Sequence, residues 1–360
     1  MINRQRMVNT FLELVRIDSP SGREQDVARY CAARMRALGF SIESDAAGNL
    51  FCKRSGRGEP LLVNAHMDGV QPCIGIKPVV DGDIIRSDGT TILGADDRSA
   101  VAAILEVIQV IVDEKLSAPA LEVVFTVCEE LGLRGAKELD YARLSAKQGV
   151  VLDHDGPAGG IVVAAPYQDR LEVAVHGKAA HAGGAPEKGI SAIRVAAEAI
   201  AAMPLGRIDA ETTSNIGLIK GGMARNVVPP LATIDGEARS RDAAKLEAQT
   251  AAMVAAFESA AQRHGATVDI KVTRNYDGFR VSEQSSAILR HLMAATRAEG
   301  IEPRLEESGG GSDVNIFRTH GIDALVMSCG FGAVHTTDEY QSISELVKAA
   351  QILLKAIVTA

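Results

Sequence analysis

The residues best equipped for chemistry fall into a few short groups: His66-Met67-Asp68, Glu129-Glu130, Asp153-His154-Asp155, His335 and an adjacent acid pair at Asp96-Asp97. Imidazole nitrogens and carboxylate oxygens are the donors that zinc takes. Singly, each group is ordinary: a histidine capping a strand end, a solvated acid pair, a helix N-cap or a loop histidine. Position joins them. Pro60 to Ala65 is an apolar strand run that delivers His66, Leu121 to Cys128 delivers Glu129, and Gly149 to Leu152 delivers Asp153. Ala324 to Cys329 leads through a glycine turn to His335. Ligands of open α/β sheets bind at the carboxyl ends of the strands, so these groups point to one site.

Local geometry refines the grouping. Residues two apart on a strand face the same side, which sets Asp68 beside His66 to accept its second ring N–H and fix its direction. Glu129 and Glu130 would face opposite sides of a regular strand, and both enter one site only where the strand turns off. Asp155 rivals Asp153 as a ligand, and spacing alone leaves the two open.

The elements that position these groups follow from periodicity. Thr10 to Ile17 and Asp26 to Leu38 read as helices, and Val101, Ile104, Leu105, Ile108 and Val112 recur at helical spacing within Arg98 to Glu114. Helices alternating with short apolar runs indicate an α/β layer fold with a largely parallel sheet. From about Gln168 the pattern changes to strand Leu171–Val175, helix Ile190–Ile200, strands Asn215–Ile219 and Leu231–Ala238, helix Ala243–His264 and strand Thr267–Val272. That β-α-β-β-α-β order is ferredoxin-like, and such a unit, with its ends together, inserts readily into another domain. The α/β pattern returns with helix Ser285–Ala298, the glycine-rich turn Ser308–Ser312, strand Ala324–Ser328 and a last helix from Ser344. The organisation expected is a discontinuous domain of residues 1–167 and 281–360, interrupted by a smaller one of residues 168–280.

Composition excludes several functions. A net charge of -8 over 360 residues argues against a nucleic-acid partner, and 4% aromatics with no tryptophan leave no base-stacking platform. Val101 to Val112 is interrupted by Glu106 and Gln109, short of the roughly 18 unbroken apolar residues of a membrane span. The start of the chain lacks a signal-peptide pattern, and five scattered cysteines form no C-x-x-C pair, so a cytoplasmic location is expected. Neither G-x-G-x-x-G after a strand nor G-x-x-x-x-G-K occurs, which disfavours a nucleotide-dependent enzyme.

The sequence resembles the peptidase T-like family of di-zinc aminopeptidases, within the co-catalytic zinc peptidases and deacylases. The resemblance rests on His66-Met67-Asp68, Ser87 to Asp97, Cys128-Glu129-Glu130-Leu131-Gly132, Leu152-Asp153, Gly221 to Pro229, Gly310-Gly311-Ser312-Asp313 and Val334-His335. It implies a mixed-sheet α/β zinc-peptidase catalytic domain with an inserted ferredoxin-like α+β lid and dimerisation domain. It implies two zinc ions, with cobalt or manganese able to take the same ligands: Asp96 bridging, His66 and Asp153 completing one site, Glu130 and His335 the other. The Asp96–Asp97 peptide is cis in such relatives. Glu129 becomes the general acid/base, and Asp68 the residue orienting His66. His181, between the first strand and first helix of the insert, stabilises the oxyanion in relatives, commonly across a dimer interface. Asn226 and Arg239 match substrate-contacting positions, Arg239 suiting a substrate carboxylate through a bidentate fork. The expectation is a homodimer, joined through the insert, that removes the N-terminal residue of short peptides. The alternatives are a deacylase of N-acylated amino acids or peptides and a non-catalytic metal- or peptide-binding homologue.

Overall fold

The computed structural model describes residues 1–360, which separate into two units. The first comprises Met1–Val163, Val281–Glu307 and Ser312–Ala360, and the second Ala164–Arg280 with Ser308–Gly311.

The first unit is organised around a sheet with strand order Ser41–Ser44, Leu50–Arg54, Pro119–Thr126, Arg57–His66, Gln148–His154, Asp323–Ser328 and Gly160–Ala165. The four middle strands run parallel, whereas pairing is antiparallel on both flanks. The sheet is therefore mixed, parallel only at its centre. The centre is rich in Val and Leu and buried on both faces, as parallel strands covered by helices must be. The hairpin Ser41–Arg54 escapes the periodicity reading because its first strand is short, polar and exposed.

Helices cover this sheet. Arg4–Val15 begins earlier than its apolar pattern suggests because the Asn3 side chain accepts the Arg6 N–H at 3.0 Å and starts the helix there. Ala95–Asp113 is apolar on nearly all sides and almost wholly buried, as befits a central helix. Glu106, a buried acid midway along it, is held by the Arg6 guanidinium at 2.6 Å.

Register aligns the working edge. His66 pairs with Thr126, Asn64 with Val151, and Ser328 with His154. The runs that deliver His66, Glu129 and Asp153 thus end in one row.

The second unit is a sheet of order Gly206–Arg207, Thr212–Gly221, Leu231–Ser240, Tyr167–His176 and Thr267–Tyr276, antiparallel throughout. Helices Ala192–Ala202 and Ala243–His264 pack on it through Val195, Ala196, Ala199, Leu246, Met253 and Phe257 against Leu171, Val173, Val175 and Ile234. Its order and pairing are those of a ferredoxin-like unit. Phe257 is fully buried in this small core, so Phe257→Ala is expected to destabilise it by about 3–5 kcal/mol. The measurement is urea unfolding followed by a probe in this unit; an unchanged midpoint would remove Phe257 from the core.

No helix is long and apolar enough to cross a membrane. All five cysteines are buried and free.

Candidate metal centre and active site

Five chain segments bring acids and imidazoles together at the carboxyl edge of the first unit's sheet. His66 ends its strand, fully enclosed. Its Nε2 lies 2.9 Å from Asp96 Oδ1 and 3.7 Å from Asp153 Oδ1, and its Nδ1 lies 3.3 Å from Asp68 Oδ1. His335, in a left-handed turn with φ 61°, sets Nε2 3.2 Å from Glu130 Oε1 and 3.4 Å from Asp96 Oδ2. Asp96 therefore turns one oxygen to each histidine.

Backbone geometry explains how Asp96 reaches that position. Gly94, at φ 72°, precedes it, and a Cβ there would lie 2.3 Å from Arg98 Nη1, so only glycine admits the turn. Asp96 and Asp97 are non-helical although they sit within the first turn of Ala95–Asp113, and the peptide between them is cis. Glu339 accepts the N–H groups of Ala95 at 3.0 Å and Asp96 at 3.5 Å, holding the helix entrance from outside.

Glu129 and Glu130 stand where the strand has turned off. The strand ends at Thr126 and Cys128 takes φ 50°, so both acids face the same region. Asp68 does more than meet His66: it accepts Glu129 N at 3.0 Å and Glu130 N at 3.2 Å, and Ser21 Oγ donates to it at 2.6 Å. Asp153 lies in this cluster, whereas the Asp155 carboxylate is half exposed and faces His154 Nδ1 at 3.6 Å. His154 in turn meets Glu306 at 3.0 Å through Nε2.

The charges are lopsided. Burial, with Asp153 close by, pushes the Glu129 carboxyl well above the usual range, and burial carries Asp153 up to about 7. Asp97, enclosed and also near Asp153, is raised as well. Burial by itself would depress His66, but Asp153, Asp68 and Asp96 hold its imidazolium well above the ordinary value. Hydrogen bonding to Asp96 and Glu130 takes His335 up to about 10. Such crowding of acids needs added positive charge. Three donor sets lie close enough to share an ion: His66, Asp96 and Asp153; Asp96, Glu130 and His335; and His66, Glu129 and Glu130. The first two share Asp96, so this N/O donor set fits a pair of divalent cations.

Several residues at this edge have no role assigned from the sequence. Asp97 accepts His66 N at 3.2 Å. Asp313, in the Gly-Gly-Ser-Asp stretch, is buried, accepts from Thr126 Oγ1 at 2.5 Å and is pushed by burial up to about 6. Arg98 is wholly buried beneath Gly69 and Gly94, its guanidinium reaching Ser19 O at 3.4 Å. Asp97 and Arg98 could have been suspected from their place beside Asp96. Glu339 carries no local signal, because its partners are more than 240 residues away in sequence.

The second unit holds the other three expected residues. His181 is exposed, and its Nδ1 accepts Gly183 N at 3.2 Å and Gly184 N at 3.0 Å; that leaves the ring proton on Nε2. Its loop is tied to that of Asn226, whose carbonyl accepts Ala182 N at 2.9 Å. The Arg239 fork is engaged by Glu237 through two 3.0 Å contacts.

The class defined by this fold and its relatives is a metallopeptidase. Residues 169–265 match the family described as the peptidase dimerisation domain, and residues 49–166 match peptidase family M28. The structure of a Staphylococcus aureus tripeptidase is 39% identical, with TM-score 0.93 over 100% of this chain and 99% of that one. The structure of aminopeptidase PepT from Bacillus cereus is 42% identical, with TM-score 0.87 over 99% and 98%. The Bacillus subtilis protein YqjE is 41% identical over 99% of each chain. The chain belongs to the peptidase T-like family of M20 metallopeptidases.

Proposed function

We propose that this protein is a di-zinc aminopeptidase that releases the N-terminal residue of tripeptides and similar short peptides. The observation that carries the reading is Asp96, whose two oxygens separately face His66 and His335. The substrate class comes from the tripeptidase and the aminopeptidase that this chain resembles. His66, Asp96 and Asp153 would hold one ion, and Asp96, Glu130 and His335 the other. When bound, two zinc ions supply Lewis-acid polarisation of the scissile carbonyl and lower the pKa of a water towards neutrality.

The chain's own groups do the rest. Asp68 Oδ1, 3.3 Å from His66 Nδ1, favours the tautomer with its proton on Nδ1 and so leaves the Nε2 lone pair aimed at the site. Glu129 takes a proton from the attacking water at its carboxylate and returns it to the departing amine. His181 has an Nε2–H to donate to the carbonyl oxygen as that oxygen gains charge, in a homodimer joined through the second unit, which matches a dimerisation domain. Five free cysteines suit a reducing, cytoplasmic setting.

The test is product analysis by mass spectrometry of the zinc-loaded protein, given a free tripeptide and its N-acetylated twin at equal concentration. Release of the first residue from the free peptide alone is expected. Removal of the acetyl group alone would make the protein a deacylase, and cleavage of neither, with metal bound, would overturn the substrate class.

A further inference from the structure

Three successive main-chain N–H groups, those of Cys128, Glu129 and Glu130, all donate to side-chain carboxylates from elsewhere in the first unit. Asp68 takes the second and third. The first goes to Glu24, whose Oε1 accepts Cys128 N at 3.0 Å and also Cys128 Sγ at 3.3 Å and Gly22 N at 2.7 Å. Glu24 is only 3% exposed.

The placement of Glu24 is unusual for its position in the chain. It stands at the N-cap of helix Gln25–Ala37, yet it has helical backbone angles and its side chain makes no capping bond. Instead the carboxylate turns away from its own helix to a turn more than 100 residues distant. Burying a carboxylate is costly unless it is fully hydrogen-bonded, and here it takes three donors. The turn also needs support: Cys128 adopts φ 50° without being glycine, a sparsely populated conformation for such a residue. Consecutive N–H groups in a turn of this kind form a concave anion site, and in this protein the anions are the chain's own Glu24 and Asp68.

The same short segment grips both carboxylates. Ser21 Oγ donates to Asp68, Ser19 Oγ donates to Met67 O at 2.5 Å, and Gly69 N donates to Ser19 O at 3.1 Å. Ser19-Pro20-Ser21-Gly22-Arg23-Glu24 thereby ties the end of the His66 strand to the turn bearing Glu129 and Glu130.

We propose that Glu24 is a positioning residue: through Cys128 N it sets the direction of the Cys128–Glu130 turn, and so the aim of Glu129 and Glu130. This rests on the roles proposed above for those two acids. Removing the acceptor frees the first of the three N–H groups, relaxes the Cys128 turn and lets both carboxylates wander. Loss of a supporting contact of this kind costs about 10–100-fold in activity or metal affinity.

The experiment compares wild type, Glu24→Ala and Glu24→Gln as full-length, zinc-loaded proteins. Glu24→Ala is expected to lower kcat on a tripeptide by about 10–100-fold with KM nearly unchanged, and to weaken one of the two bound zinc ions in chelator competition. Glu24→Gln retains an acceptor oxygen and is expected to recover most of both. Hydrogen exchange of the metal-free proteins gives a readout independent of activity, with faster exchange over Cys128–Glu130 in Glu24→Ala and near-normal protection in Glu24→Gln. Wild-type exchange in Glu24→Ala, or equal impairment of both variants in line with lower thermal stability, overturns the proposal. If the wild type cleaves no peptide but the exchange pattern holds, the proposed function fails and the positioning role stands.

Discussion

Glu129→Ala is expected to abolish nearly all turnover while both zinc ions stay bound. Glu129 is 8% exposed, and its carboxyl is pushed well above the usual range by burial and by Asp153, a direction that suits a group asked to take up and give back a proton. A positioned acid/base contributes about 10²–10⁴-fold, and the variant should lose that much in kcat. Geometry gives this experiment its edge, since Glu129 also falls within the donor set of His66 and Glu130. Zinc stoichiometry by elemental analysis of the same preparation separates the roles. Two ions per chain with lost turnover makes Glu129 the proton carrier. One ion per chain would mean that base and ligand have been exchanged.

Asp96→Ala is expected to have the broadest effect of any single substitution at this edge. One Asp96 oxygen faces His66 at 2.9 Å and the other faces His335 at 3.4 Å, so both proposed sites lose a shared ligand together. Metal catalysis of this kind supplies several kcal/mol of charge stabilisation, and its loss corresponds to about 10³-fold or more in rate. The expected result is a fall from two zinc ions to one or none, with turnover at the assay floor. Retention of two ions at wild-type affinity would show that Asp96 bridges nothing. The contrast with Glu129→Ala is the informative part, because one variant should separate activity from metal and the other should remove both.

Much of this site was legible in the chain. His66, Glu129, Asp153 and His335 follow apolar strand runs, and parallel strands in register end in one row, so local pattern and a general rule of α/β sheets suffice to group them. Asp68 was legible as a neighbour of His66 two residues on, although the strand itself ends at His66. Its second task, holding the N–H groups of Glu129 and Glu130, was not, because those partners lie more than 60 residues away. Arg239 shows the opposite limit, since its type suits a substrate carboxylate while its fork is already met by Glu237. Spacing leaves Asp153 and Asp155 open, and only the chain's path beyond Leu152 sets Asp153 3.7 Å from His66 while leaving Asp155 half exposed beside His154.

By itself the sequence determined the α/β framework, the ferredoxin-like order of the second unit, and the identity of the acids and imidazoles at the working edge. These follow from hydrophobic periodicity and residue chemistry, which are local. The tertiary structure alone decided that Asp96 divides its oxygens between two histidines, that Asp153 joins them and that Glu24 braces the Cys128 turn. Each of those depends on the aim of a side chain to within about an ångström across the fold. Periodicity carries no such information, because it says which face a residue occupies and not which distant donor meets it there.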